Sequence, residues 1–111
     1  MSRLLAAVAD YRPCTVISLW GELDMESAAL VEYLVAQALE GGRVRLVVDA
    51  ARLEFCDWAG LEALLAARDR AAAAGGSLRL AFVHGQVRRL VGTGQACRVV
   101  PADAELVALD W

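Results

Sequence analysis

The segment that most constrains the fold is Val44-Arg45-Leu46-Val47-Val48-Asp49, a nearly continuous apolar run of strand length. A strand reads this way when both of its faces are buried, the condition of an inner strand in a parallel sheet. Parallel neighbours need crossover connections, and the flanking sequence supplies them. Before the run, Leu30, Val31, Leu34, Val35, Ala38 and Leu39 recur at helical spacing behind the start signals Asp24 and Ser27, and Gly41-Gly42 stops the pattern. After it, Ala50 to Cys56 reads as a loop and Asp57 as the cap of a second helix. The core stripe of that helix is Leu61, Leu64 and Leu65, continuing through Arg68 and Ala72, and Gly75-Gly76 ends it.

The outer segments complete a layered order. Leu4 to Tyr11 and Cys14 to Trp20 read as a hairpin or two neighbouring strands with Pro13 at the turn, the second stopping at Gly21. Leu78, Leu80 and Phe82 alternate with Arg79 and Ala81 as a further strand. Val87, Leu90 and Val91 predict a short third helix whose outer face carries Arg88 and Arg89. Cys97 to Val100 reads as a last strand stopped by Pro101, and Asp103 as the cap of a terminal helix containing Leu106, Val107 and Leu109. The order β-β-α-β-α-β-α-β-α predicts an α/β sandwich with helices laid on a mixed sheet of about five strands. At 111 residues, one domain covering the whole of 1–111 is expected.

Composition narrows the class. Hydrophobic residues at 59% and charged residues at 23% are enough for a packed core and exclude a disordered chain. Apolar stretches such as Ala71-Ala72-Ala73-Ala74 fall far below the roughly 18 residues of a membrane helix. A net charge of -3, from 11 basic and 14 acidic residues, argues against a nucleic-acid or anionic-membrane surface. Three cysteines, Cys14, Cys56 and Cys97, form no CxxC pair, and the N-terminal segment does not read as a signal peptide. A reduced, cytoplasmic chain is the expectation.

Catalytic chemistry finds little footing. The candidate nucleophiles are the three cysteines, and His84 is the one histidine. Cys56 is the best placed, because a helix N-terminus just beyond it lowers a thiol pKa. One histidine and scattered cysteines match no zinc spacing. Gly92-Thr93-Gly94 follows a helix rather than a strand, so it is no dinucleotide fingerprint. The acidic pairs Glu22 with Asp24 and Glu54 with Asp57 read as solvated loop charge. No enzyme activity, cofactor or metal is expected.

Two loops stand out instead. Gly21-Glu22-Leu23-Asp24 follows the second strand, and Phe55-Cys56-Asp57-Trp58-Ala59-Gly60-Leu61 opens the second helix. Both follow strands leaving the same edge of the sheet, so they are expected side by side, where a helix N-terminus offers unpaired N–H groups. With Val47-Val48-Asp49, Gly75-Gly76-x-Leu78, Val87-Arg88-Arg89-Leu90 and Thr93-Gly94, these pieces occur in an order that resembles a STAS domain of the anti-sigma-factor antagonist family. The resemblance runs from about Val16 to Val107.

The resemblance implies a STAS-like mixed sheet with about four helices and a non-enzymatic bacterial partner-switching role. Members of that family bind a serine-kinase anti-sigma factor, freeing a sigma factor, until the kinase phosphorylates a Ser in a D-S-S-G or similar motif opening the second helix. Here the motif is Asp57-Trp58-Ala59-Gly60, with Ala59 at the phosphorylated position and Trp58 before it. The partner surface carried over is Glu22, Asp24, Asp57, Trp58, Ala59 and Gly60, while the phosphorylation site is not. Asp57 also reads as an ordinary helix cap, Asp24 as a cap or solvated acid, Trp58 as an interface anchor or a core residue, and Trp20 and Trp111 as packing residues. The alternative role is a diverged STAS domain acting as a scaffold or small-ligand sensor in a larger complex.

Overall fold

The computed structural model describes residues 3–91 and 102–103. Its elements are β1 (Leu4–Tyr11), β2 (Cys14–Leu23), α1 (Ala28–Glu40), β3 (Arg45–Cys56), α2 (Trp58–Ala73), β4 (Ser77–Ala81), α3 (Gly85–Val91) and the two-residue β5 (Ala102–Asp103). They build one mixed sheet in the order β1-β2-β3-β4-β5. The β1–β2 hairpin is antiparallel, and every later pairing is parallel. The expected hairpin turns at Arg12-Pro13, and the expected inner strand lies between two parallel neighbours.

A main core forms where α1 and α2 lie on the sheet. Leu46, Val48, Ala50, Leu53 and Cys56 of β3 meet Val31, Val35 and Ala38 of α1 and Leu61, Leu64, Ala67 and Ala71 of α2. Each fully buried leucine there contributes about 1.5–3 kcal/mol. On the other face, Val16, Val47 and Ala81 form a small second cluster, with Cys14 and Phe82 packed against it. Val47 and Val48 are thus buried on opposite faces, which is why the run carries no polar alternation. Among the described residues, no helix is long and apolar enough to cross a membrane.

Several expectations change. β2 continues through Gly21 to Leu23. Gly21 has φ +99, and a Cβ there would run into the Arg3 carbonyl, so the glycine admits a close strand neighbour instead of ending the strand. The expected loop from Ala50 to Cys56 is the second half of β3. On α2 the stripe runs through Ala67 and Ala71, with Ala63 also buried, whereas Leu65 and Arg68 are half-buried and Ala72 is exposed. Phe82 leaves β4 at φ +59. The Cys97 to Val100 strand and the terminal helix lie outside the described residues. The fifth strand follows Pro101, and Asp103 pairs with Ala81 in it. Three helices occur among the described residues, against about four expected.

Candidate functional site

The loops after β2 and β3 meet as expected. Leu23 pairs with Cys56 at the ends of the two strands, and the next main-chain N–H, that of Asp57, donates to the Leu23 carbonyl at 3.1 Å. Asp57 then caps α2: its backbone is extended (φ -94, ψ -177), and its Oδ1 accepts from the Gly60 N–H at 2.8 Å. Such a cap is worth about 1 kcal/mol. Gly60 is buried, because its Cα faces the Leu23 carbonyl and the Cys56 Sγ. Ala-rich sequence favours the helix that follows.

The other side of the junction is a tight turn. The Asp24 Oδ1 accepts from the Glu26 N–H, the Ser27 N–H and the Ser27 hydroxyl, each at 3.0 Å. The Asp24 N–H donates in return to Ser27 Oγ at 2.9 Å. The Ser27 N–H is the largest cause of an Asp24 pKa below its ordinary 3.8; desolvation opposes it, and the Ser27 hydroxyl and Glu26 N–H add to the lowering. Ser27 takes the N-cap position of α1, but its hydroxyl turns to Asp24 and the Glu22 carbonyl rather than into the helix. The Glu22 side chain lies 3.6 Å from Arg3, an exposed ion pair of small energetic weight.

Three large apolar side chains stand exposed around this junction. Trp58 is 59% exposed at the first position of α2, Phe55 is exposed near the end of β3 three residues before it, and Met25 is exposed in the turn after β2. Trp58 is therefore not folded onto the core. Ala59 is half-buried, and no acidic residue occupies the first turn of α2. Met25 and Phe55 were not among the candidate residues; Met25, between Asp24 and Glu26, is a lone apolar side chain in a polar stretch, whereas Phe55, beside Cys56, offers no such signal.

Beyond Asp49, β4 no longer accompanies β3, and side chains from the α3 region replace it. The Gln86 Oε1 accepts from the Cys56 N–H at 3.0 Å, and its Nε2 donates to the Cys56 carbonyl at 2.8 Å. His84 Nε2 lies 2.8 Å from the Ala51 carbonyl, which only accepts, so that nitrogen carries the proton. Both residues act across some thirty positions of sequence and leave no local signal.

The thiol expectation is overturned here. Cys56 is buried, and desolvation, helped by the neighbouring Asp57 charge, pushes its pKa up to about 12. Its Sγ lies 3.4 Å from the Asp57 carbonyl, and His84 is committed to Ala51. The helix end fails to activate the thiol because burial outweighs the dipole.

Residues 6–95 match the family described as Mlab, STAS domain. The anti-sigma-F factor antagonist RsfB of Mycobacterium tuberculosis is 30% identical over 67 residues, 60% of this chain and 55% of that protein, so the match spans about half the relative's length. A crystal structure of an anti-sigma factor antagonist from Mycobacterium paratuberculosis shares the fold with a TM-score of 0.83 at 23% identity, covering 95% of this chain and 89% of that one. The phosphorylated form of the Bacillus cell fate determinant SpoIIAA does so with a TM-score of 0.73 at 21% identity, covering 96% and 97%. With the ordered loops, the β2–β3 junction and the capped α2 in place, the chain belongs to the STAS-domain family and is similar to anti-sigma factor antagonists.

Proposed function

We propose that the chain is a cytoplasmic, non-enzymatic regulatory module of the anti-sigma factor antagonist type. It engages an anti-sigma factor or a related serine-kinase-type regulator through Glu22, Asp24, Asp57, Trp58 and Ala59, with the buried Gly60 seating α2 against Leu23 and Cys56 instead of meeting the partner. The observation that carries this reading is the exposed Trp58 at the start of α2, with Phe55 near the end of β3 and Met25 just after β2 exposed as well. An aromatic side chain of that size left in water is the kind of anchor that dominates protein interfaces. The carboxylates of Glu22 and Asp24 form a polar border that orients a partner more than it holds one.

SpoIIAA, an anti-sigma factor antagonist, has been described in phosphorylated and unphosphorylated forms. In this chain residues 55–62 contain no hydroxyl, so release of a partner by phosphorylation at the start of α2 is chemically closed. The module stays in its binding form unless another position is modified.

The test is affinity capture from native lysate with wild type and Trp58→Ser side by side, read by mass spectrometry. A regulator held by the wild type and lost from Trp58→Ser, with equal melting temperatures, is the expected result. Equal retention by both would move the surface elsewhere. A phosphorylated peptide is not expected over residues 55–62 in either preparation.

A further inference from the structure

We propose that β1 is a self-association edge, through which two copies of this chain pair antiparallel about a two-fold axis at Val8. β1 lies at one end of the described sheet, paired on one side with β2. Its register is unbroken from Leu4 to Tyr11. The strand contains no bulge, proline or lysine of the kind that blunts a free edge. Instead it carries exposed apolar side chains: Leu5 is 71% exposed, Val8 42% and Tyr11 65%.

The hydrogen-bond phase of the hairpin decides which backbone groups face outward. In an antiparallel pair, opposed residues alternate between those that exchange N–H···O bonds and those whose groups point away. The Glu22 N–H donates to the Arg3 carbonyl at 3.4 Å, which makes Arg3 and Glu22 an exchanging pair. Counting by twos along the register, Leu5, Ala7, Ala9 and Tyr11 direct their groups to β2. Ala6, Val8 and Asp10 direct theirs to the open edge.

A two-fold axis normal to the sheet keeps each face on its own side, so even residues meet even residues. With the axis at Val8, Val8 meets Val8 of the second copy, Ala6 meets Asp10, and Leu5 meets Tyr11. The outward N–H and C=O groups of Ala6, Val8 and Asp10 then find one another. The exposed side chains are matched at the same time, Leu5 against Tyr11 on one face and the two valines on the other. Asp10, the one charged residue of the strand, falls opposite Ala6, so no like charges are opposed. Moving the axis to Ala7 would set Leu5 against Ala9 and Tyr11 against Arg3, leaving the large apolar side chains unmatched. This edge is its own complement in backbone phase, side-chain size and charge, which favours a second copy over a foreign peptide.

The test is sedimentation velocity of the purified chain over a concentration series. The wild type should shift from the monomer mass to twice that mass. Val8→Pro removes an N–H that points to the edge and not into β2, so it should stay monomeric with an unchanged far-ultraviolet spectrum. Val8→Lys keeps every backbone group and opposes two charges at the axis, and should also stay monomeric. Under mild oxidation Val8→Cys should cross-link to a covalent dimer, because opposed residues at the axis lie within disulfide reach. Ala6→Cys should not, since the axis sets it against Asp10. A wild type that remains monomeric would overturn the proposal and leave a foreign extended segment as the edge's occupant. A dimer surviving both Val8→Pro and Val8→Lys, or equal cross-linking by Ala6→Cys, would equally overturn it.

Discussion

Gly60 shows how one residue ties the two loops together. A Cβ at this position would sit 2.6 Å from the Leu23 carbonyl and 2.9 Å from the Cys56 Sγ. Gly60→Ala therefore sets helix propensity, a gain of about 1 kcal/mol, against overpacking, a loss of about 1–3 kcal/mol. Overpacking should win, because the nearest atom belongs to backbone that also accepts from Asp57, and thermal melts should show a lower midpoint. Asp24 yields a pH dependence. Its folded pKa is lowered, so its charge stabilises the folded chain fully above the ordinary carboxylate range, and that stabilisation is lost as pH falls through the folded value. Melts from neutral pH downward should show Asp24→Asn less stable than wild type, with the gap closing in acid. A gap that stayed constant would assign the effect to geometry instead of charge. The Asp57 cap was legible in sequence because capping is local, whereas the crowding at Gly60 was not, since its neighbours come from two other strands.

At the scale of elements, the second half of β3 explains both what the sequence hid and how the site is held. Pairing with β2 slips between Ser18 and Trp20 and again between Gly21 and Glu22, each time giving β3 one residue more than its neighbour. Two such bulges place the buried positions at Ala50, Leu53 and Cys56, every third residue, a spacing that matches neither a regular strand nor a helix. The stretch consequently reads as a loop. The periodic elements around it, α1, the first half of β3 and the start of α2, were legible because their apolar spacing is regular. Gln86 was not, since its role is to stand in for the strand that β4 does not extend. Gln86→Leu should leave the Cys56 N–H and C=O without partners, at a cost of about 1–3 kcal/mol. Hydrogen exchange should quicken at the Cys56 amide while the Val47 amide, deep in the sheet, keeps its protection. Equal loosening of both amides would mean that Gln86 supports the whole fold rather than the end of β3.

Among the described residues, the exposed large apolar side chains divide between two surfaces, with Tyr33 on α1 apart. Leu5, Val8 and Tyr11 lie on β1, and Met25, Phe55 and Trp58 surround the start of α2. The full β2 strand separates β1 from β3, and the helix start lies at the C-terminal end of β3. In an antiparallel β1 dimer the β3 strands of the two copies run in opposite directions, so the two α2 starts face away from each other. Self-association and partner capture should then be independent. Ala59→Asp tests one side of this. A carboxylate in the first turn of α2 gains from the helix dipole and is opposed by nearby Asp57, so stability should change by less than about 1 kcal/mol. Against a partner the same charge must be desolvated beside Trp58 without a pair, so binding should weaken. Val8→Pro should do the reverse, abolishing the dimer while each chain still binds one partner with unchanged affinity. Titration calorimetry of both variants against the captured regulator, with sedimentation of each, reads both quantities at once. A Val8→Pro chain with reduced partner affinity would join the two surfaces and place the partner across the β1 edge.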